Sequence, residues 1–171
     1  MRRTGFFPGV ARLLLRREYE QAEHLKQGRP TMNTIAKVLI VDDDEILRRY
    51  YRRALAGANF TVQVAMCGDE ALEILADENF DVVIVDHRMR GSDGLAVVRA
   101  IKDLCPDTEV VVIAGAPSVK HAKEAIRLGA CDYLSKPVRP DEVISVAARA
   151  AVQKKWTLHR VSGRAPALLT H

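Results

Sequence analysis

The stretch FDVVIVDHRMRGSDGL, Phe80 to Leu95, decides how the rest of the chain is read. Val82-Val83-Ile84-Val85 is an unbroken β-branched run, the pattern of a strand buried on both faces of a parallel sheet. It stops at Asp86, a polar loop with Gly91 and Gly94 follows, and a helical pattern begins at Leu95. A carboxylate at the carboxyl end of a buried strand stands where open α/β sheets keep their chemistry. Alone, such a residue is as easily an ordinary strand-ending aspartate. Two more acids and a lysine at the ends of other strands tip the reading towards a site.

Outward from this stretch, strands and helices alternate five times. The first strand, Val38-Leu39-Ile40-Val41, ends at Asp42-Asp43-Asp44. The first helix runs from about Glu45 to Ala56, with Ile46, Leu47, Tyr50, Tyr51, Ala54 and Leu55 as its buried stripe and Gly57 closing it. The second strand covers Thr61 to Ala65, and a helix from about Asp69 turns Ala71, Leu72, Leu75 and Ala76 inward. The third helix buries Leu95, Val98, Ile101 and Leu104 and stops before Pro106. The fourth strand is Glu109 to Ile113. Its helix takes Ser118 as N-cap, turns Val119, Ala122, Ala125 and Ile126 inward, and ends at Gly129. A short fifth strand, Asp132 to Leu134, precedes a helix from Pro140 with Val143, Ile144, Ala147, Ala148 and Ala151 towards the sheet. Helical connections with short loops mean right-handed crossovers, hence an α/β, doubly wound parallel sheet.

Composition agrees: the 171 residues are 48% hydrophobic and 28% charged, values of a globular soluble chain. No apolar run approaches the roughly 20 residues of a membrane helix, and Leu13-Leu14-Leu15 is too short for a secretion signal. Three cysteines without ligand spacing, Cys67, Cys105 and Cys131, indicate buried thiols in a reducing cytoplasm. The net charge of +4 comes from the ends. Residues 1–33 hold seven Lys/Arg and three Asp/Glu, residues 34–153 hold 15 and 19, and residues 154–171 hold four and none. The body is mildly acidic, which argues against nucleic-acid binding by the domain as a whole. Residues 34–153 are therefore read as the domain and 154–171 as a basic tail. Residues 1–33, with a helical pattern from Val10 to Gln27, are read as an adjoining basic extension or an over-extended translation start.

Parallel strands present their carboxyl ends on one edge, so Asp42, Asp43, Asp86, the loop after Ile113 and Lys136 converge there. Packed carboxylates repel one another, and a hard divalent cation such as Mg²⁺ relieves this through oxygen ligands. Lys136 would serve as a salt-bridge partner, or, together with Mg²⁺, would neutralise a moving phosphoryl group. An aspartate can accept such a group as an acyl phosphate.

Three segments, KVLIVDDDE, DVVIVDHRMRGSDGL and LGACDYLSKPV, carry a resemblance over residues 37–152 to the receiver domain of two-component response regulators. The resemblance implies the flavodoxin-like (βα)5 fold with five parallel strands in the order 2-1-3-4-5. It implies that Asp86 is the phosphoacceptor, that Asp42 and Asp43 form the acidic pair, and that Asp43, Asp86 and the carbonyl of Arg88 ligate Mg²⁺. Lys136 should contact the phosphoryl group, Lys136-Pro137 should be cis, and Tyr133 matches the aromatic switch. Asp44 reads as a helix cap. The implied partners are a histidine kinase or phosphotransfer protein and a downstream protein target met by the fourth helix, fifth strand and fifth helix. A homodimer is compatible with this, and so is either a sole receiver or one belonging to a longer regulator.

Two positions depart from the family pattern. Ala114 stands where Thr or Ser usually offers a hydroxyl to the phosphoryl group; one hydrogen bond to a charged oxygen, about 1.5–3 kcal/mol, is then missing. Phosphorylation is expected to proceed while its coupling to Tyr133 is weakened. Arg90 replaces a loop proline, leaving the loop less rigid, and Arg88 and Arg90 add positive charge that reads as solvated or as an attraction for a phosphodonor. His87 is expected to point away from Asp86. A receiver-like interaction module that is never phosphorylated is the alternative, favoured by Ala114. A haloacid-dehalogenase-type phosphatase would use Asp42-x-Asp44, but only Asp141 and Glu142 follow Lys136 as its second acidic pair. A flavodoxin would need a phosphate loop where this chain has acids.

Overall fold

In the computed structural model, which describes residues 34–161 with side chains to Trp156, strand β1 (Lys37–Val41) sends Leu39 and Val41 to one face and Val38 and Ile40 to the other. The same period of two recurs in β3 (Val82–Asp86) and β6 (Glu109–Ala114), so both faces of the sheet need a helical cover. Helices α2 (Gly68–Asp77), α3 (Gly94–Leu104) and α4 (Val119–Arg127) cover the first face. Helices α1 (Glu45–Gly57) and α5 (Pro140–Val161) cover the second. With β2 (Thr61–Ala65) and β7 (Asp132–Ser135) at the edges, five parallel strands run in the order β2-β1-β3-β6-β7. Counted without the two short strands between β3 and β6, this is the expected order 2-1-3-4-5. Those two, β4 (Arg88–Met89) and β5 (Ser92–Asp93), form an antiparallel hairpin where the sequence suggested an irregular loop. Its two-residue turn is Arg90-Gly91, with Gly91 at φ 74°, a region side chains rarely adopt.

The helices over the first face keep their expected stripes in α2 and α3, but α4 does not. Of Val119, Ala122, Ala125 and Ile126 only Ala125 is fully buried, Val119 is 73% exposed, and His121 and Leu128 take half-buried positions. This short helix lies over the edge strand β7, so only a narrow line of it meets the sheet. In α1 the core takes Tyr51 and Leu55, with Leu47 and Ala54 half-buried against it as expected, while Ile46 and Tyr50 face solvent. The first turn of α1 borders an open surface beside Asp43 and Arg90 at the carboxyl edge, where no strand remains to cover Ile46. Chain reversal after α1 is made by Asn59, at φ 63°, rather than Gly57; Asn is one of the few non-glycine residues that enter this region readily. In α5, Val146 and Ala150 join Val143, Ala147 and Ala151 in the core, and the helix runs on to Val161, beyond Gln153.

Ser118 accepts from the His121 amide and Asp44 from the amides of Ile46 and Leu47, so both cap their helices as expected. The Lys136-Pro137 peptide is cis. None of the three cysteines forms a disulfide, and burial pushes the Cys131 thiol up to about 12, which keeps it protonated. Among the described residues no helix is long and apolar enough to cross a membrane. The expected helix from Val10 to Gln27, the rest of residues 1–33, and the tail beyond Val161 lie outside the described residues.

Candidate functional site

Strand parity distributes the side chains at the carboxyl edge. Asp86 continues the row of Val82 and Ile84 that faces α1 and α5, and His87 falls on the opposite row, with Val83 and Val85. Asp42 follows Val41 in β1 and so shares the Asp86 side. Lys136 directly follows β7, where its backbone amide donates to the Ala114 carbonyl at 2.8 Å. The result is a compact nest. Lys136 Nζ donates to Asp86 Oδ2 at 3.0 Å and to Asp42 Oδ2 at 3.1 Å, and Asp42 and Asp86 are only 3% and 7% exposed. Asp42, Asp43 and Asp86 each offer one oxygen, all within 4.8 Å of one another.

Three carboxylates against the Lys136 ammonium and the exposed Arg90 guanidinium still leave the nest short of positive charge. Burial raises the Asp42 pKa, against the Asp44 amide at 2.8 Å and the field of Lys136, with Asp86 adding to the rise. Burial pulls the other way on Lys136, but the bond to Asp86 and the charge of Asp42 outweigh it and hold the ammonium above the ordinary lysine range. Among the described residues the ligand set here is all oxygen, the kind that suits a hard cation keeping several waters; Mg²⁺ fits these residues. Asp43 is the most open of the three. Its carboxylate accepts from the Arg90 backbone N–H at 3.0 Å and from Arg90 Nε at 3.1 Å, which depress its pKa. A proline at position 90 would have no N–H to give, so the departure from the family pattern adds a donor to the acidic pair.

The remaining expected residues are placed as follows. Arg88 lies in β4 with its side chain in solvent, and its amide bonds Asp86 Oδ1 at 3.3 Å. Ala114, the last residue of β6, is fully buried and presents a methyl group. Ser118, spent on capping α4, supplies no substitute hydroxyl. Tyr133 is half-buried, and its hydroxyl, enclosed without a hydrogen bond of normal geometry, has its pKa raised by burial against an opposing contribution from the Ser118 backbone. Gly94 fixes the end of β3 from below: its amide donates to the His87 carbonyl at 2.9 Å, and a Cβ there would lie 2.7 Å from that oxygen and closer still to the carbonyl of Asp86.

Sequence reading missed what lies on the other side of Asp86. The His87 ring, 5% exposed, packs 4.6 Å from the His121 ring and edge-on to Tyr133 at 6.3 Å. Burial first, then His121, lowers the His87 pKa and disfavours the imidazolium. The signal available was the Ser118 cap, which sets the phase of α4; the apolar stripe suggested a different inward face.

Residues 38–148 match the response regulator receiver domain family. The DNA-binding transcriptional regulator NtrC of Escherichia coli K12 is 41% identical over 113 residues, 66% of this chain and 24% of that protein. The C4-dicarboxylate transport transcriptional regulatory protein DctD of Rhizobium meliloti is 35% identical over 133 residues, 78% of this chain and 29% of that protein. The chain thus spans about a quarter of the length of these curated relatives. Among solved structures, NtrX from Brucella abortus superposes with a TM-score of 0.72 at 32% identity, covering 76% of this chain and 30% of that one. The receiver domain of Francisella response regulator 1452 gives 0.65 at 27%, covering 69% and 98%.

Proposed function

The chain belongs to the response regulator receiver domain family, the signal-receiving part of two-component regulation, and on that premise we propose that Asp86 is the residue on which it accepts a phosphoryl group. The observation that carries this is the Lys136 ammonium bridging Asp86 and Asp42 at the shared edge of the sheet, with Asp43 within reach of the same point. An oxygen of Asp86 attacks phosphorus; the bond from phosphorus to the donor's imidazole nitrogen breaks, and that nitrogen keeps the electron pair. Lys136 holds an oxygen of the transferred group, and Asp42 holds Lys136. Asp43, Asp86 and the Arg88 carbonyl are the residues that would ligate Mg²⁺, which when bound neutralises phosphoryl charge. The donor is a histidine kinase or phosphotransfer protein, the readers are downstream proteins in the cytoplasm, and the domain assists its own phosphorylation without turning over a separate substrate. Residues 34–153 carry this activity, with the two basic segments flanking it.

Incubation with Mg²⁺ and acetyl phosphate, followed by intact mass, tests the reading. One phosphoryl group should add to the wild type and none to Asp86→Asn. A second reading, an interaction module that is never phosphorylated, is favoured by the methyl of Ala114 in the hydroxyl position; absence of any adduct, or an adduct surviving Asp86→Asn, would select it.

A further inference from the structure

The hairpin beside the acid nest carries a cation of its own. Arg90, the first residue of the turn between β4 and β5, donates to Asp43 Oδ2 twice, from its backbone amide at 3.0 Å and from its side-chain Nε at 3.1 Å. The two donors are held differently. The amide is fixed by the hairpin pairing, whereas the guanidinium belongs to a side chain that is 92% exposed. It borders an open cleft of about 580 Å³, shared with Asp44, Glu45, Ile46 and Arg48, so it has room to swing away. Arg48, in the same cleft, bonds the Asp42 backbone carbonyl and not a carboxylate. Lys136 bridges Asp42 and Asp86. Among the described residues, the side-chain cation paired with Asp43 is Arg90.

We propose that Arg90 is a tethered counter-ion that competes with Mg²⁺ for Asp43 and so sets the Mg²⁺ concentration at which the nest fills. This role rests on Asp43 being a metal ligand, as in the function proposed above. An arginine on a ligand oxygen opposes a dication in two ways. It already satisfies the carboxylate whose charge the ion needs. Its own charge also repels the ion, well inside the roughly 8 Å over which physiological salt screens. Exposed ion pairs are weak, so the guanidinium yields to the ion instead of excluding it, and the backbone amide keeps Asp43 in place afterwards. The metal-free chain thereby holds its most open carboxylate neutralised, and phosphoryl acceptance at Asp86 is graded by the supply of Mg²⁺.

Tag-free full-length chain, stripped with a chelator, is titrated with Mg²⁺ at low ionic strength and followed by the amide resonances around Asp43 and Asp86. Arg90→Gln should reach half-saturation at about three- to tenfold less Mg²⁺ than wild type, and the difference should shrink in high salt. Arg90→Lys, which keeps the charge, should stay within about twofold of wild type. Arg127→Gln, exposed in the last turn of α4, should not move the curve. Circular dichroism checks the fold of each variant. An Arg90→Gln curve left unmoved, or shifted to higher Mg²⁺, would overturn the proposal while leaving Asp86 as acceptor untouched; the guanidinium would then be idle or would hold Asp43 for the ion. Equal tightening in Arg127→Gln, the mark of bulk charge, or in Arg90→Lys would overturn it as well. Should neither wild type nor Arg90→Gln saturate, Mg²⁺ does not enter the nest, and the ligand assignment falls together with the proposal.

Discussion

The two sides of Asp86 are built from residues one position apart, yet they differ in kind. Towards α1 and α5, the carboxylates of Asp42 and Asp86 share one ammonium, and the Asp43 carboxylate is met by Arg90. Towards α4, the His87 ring packs against His121 and edge-on to Tyr133. The first side is polarised and held by charge-assisted bonds before any ligand arrives; the second is held by ring packing and α4 alone. Strand alternation produces the contrast, because consecutive residues at a strand end cannot point the same way. On the proposed reading, charge is received on the first side. Between the two sides Ala114 offers a buried methyl and no hydroxyl.

The hinge between the two sides is the Asp86-His87 backbone, and Gly94→Ala attacks it directly. Its new Cβ meets two carbonyl oxygens that cannot swing aside, so a loss of about 3 kcal/mol or more in urea unfolding is expected. A cost below about 1 kcal/mol would mean the hairpin shifts freely and the two sides are not pinned together. Next in size is Ala114→Thr. Restoring a hydroxyl should add a bond of about 1.5–3 kcal/mol to the phosphorylated form. It should enlarge the change in the Tyr133 ring resonances when a phosphoryl mimic binds. Equal Tyr133 changes in variant and wild type would show that the coupling never depended on that position.

Asp42→Asn sharpens the contrast through pH. The folded-state pKa of Asp42 is raised above the ordinary 3.8, so its protonated form favours the fold. The stability it contributes is complete below the ordinary value and disappears as pH rises through the raised one. Without divalent ions the variant should therefore unfold at a higher temperature than wild type at pH 7, and the gap should close as pH falls. Asp43 has the opposite sign: its contribution is present above the ordinary value of 3.8 and is lost as pH falls through the depressed one. The smallest effect belongs to Arg90→Gln, since the Arg90 side chain is 92% exposed. Stability should change by less than about 1 kcal/mol, while the Asp43 carboxyl resonance titrates closer to its ordinary range. An unmoved titration would leave only the backbone N–H responsible.

How far the sequence spoke for itself can be seen at single residues. Val82 to Val85 could only be a doubly covered strand, and the stripes of α2 and α3 followed from helical spacing; both are repeated local signals. Ile46 and Val119 failed because spacing reports which residues share a helix face but not where the sheet ends beneath it. Arg90 looked like a loosened turn, and its amide contact with Asp43, 47 residues away, has no local signature. His121 carried no local signature of its own; its packing on His87 follows from how α4 lies over the sheet edge.

What the chain by itself determined was the order of its strands and helices, and hence the edge at which Asp42, Asp43, Asp86 and Lys136 had to meet. Hydrophobic periodicity and parallel crossovers leave little other choice. Only the tertiary structure decided which of those groups touch, that Arg90 caps the acidic pair, and that His87 closes on His121. Such contacts depend on the depth and tilt at which helices settle on the sheet, set by the packing of many side chains at once.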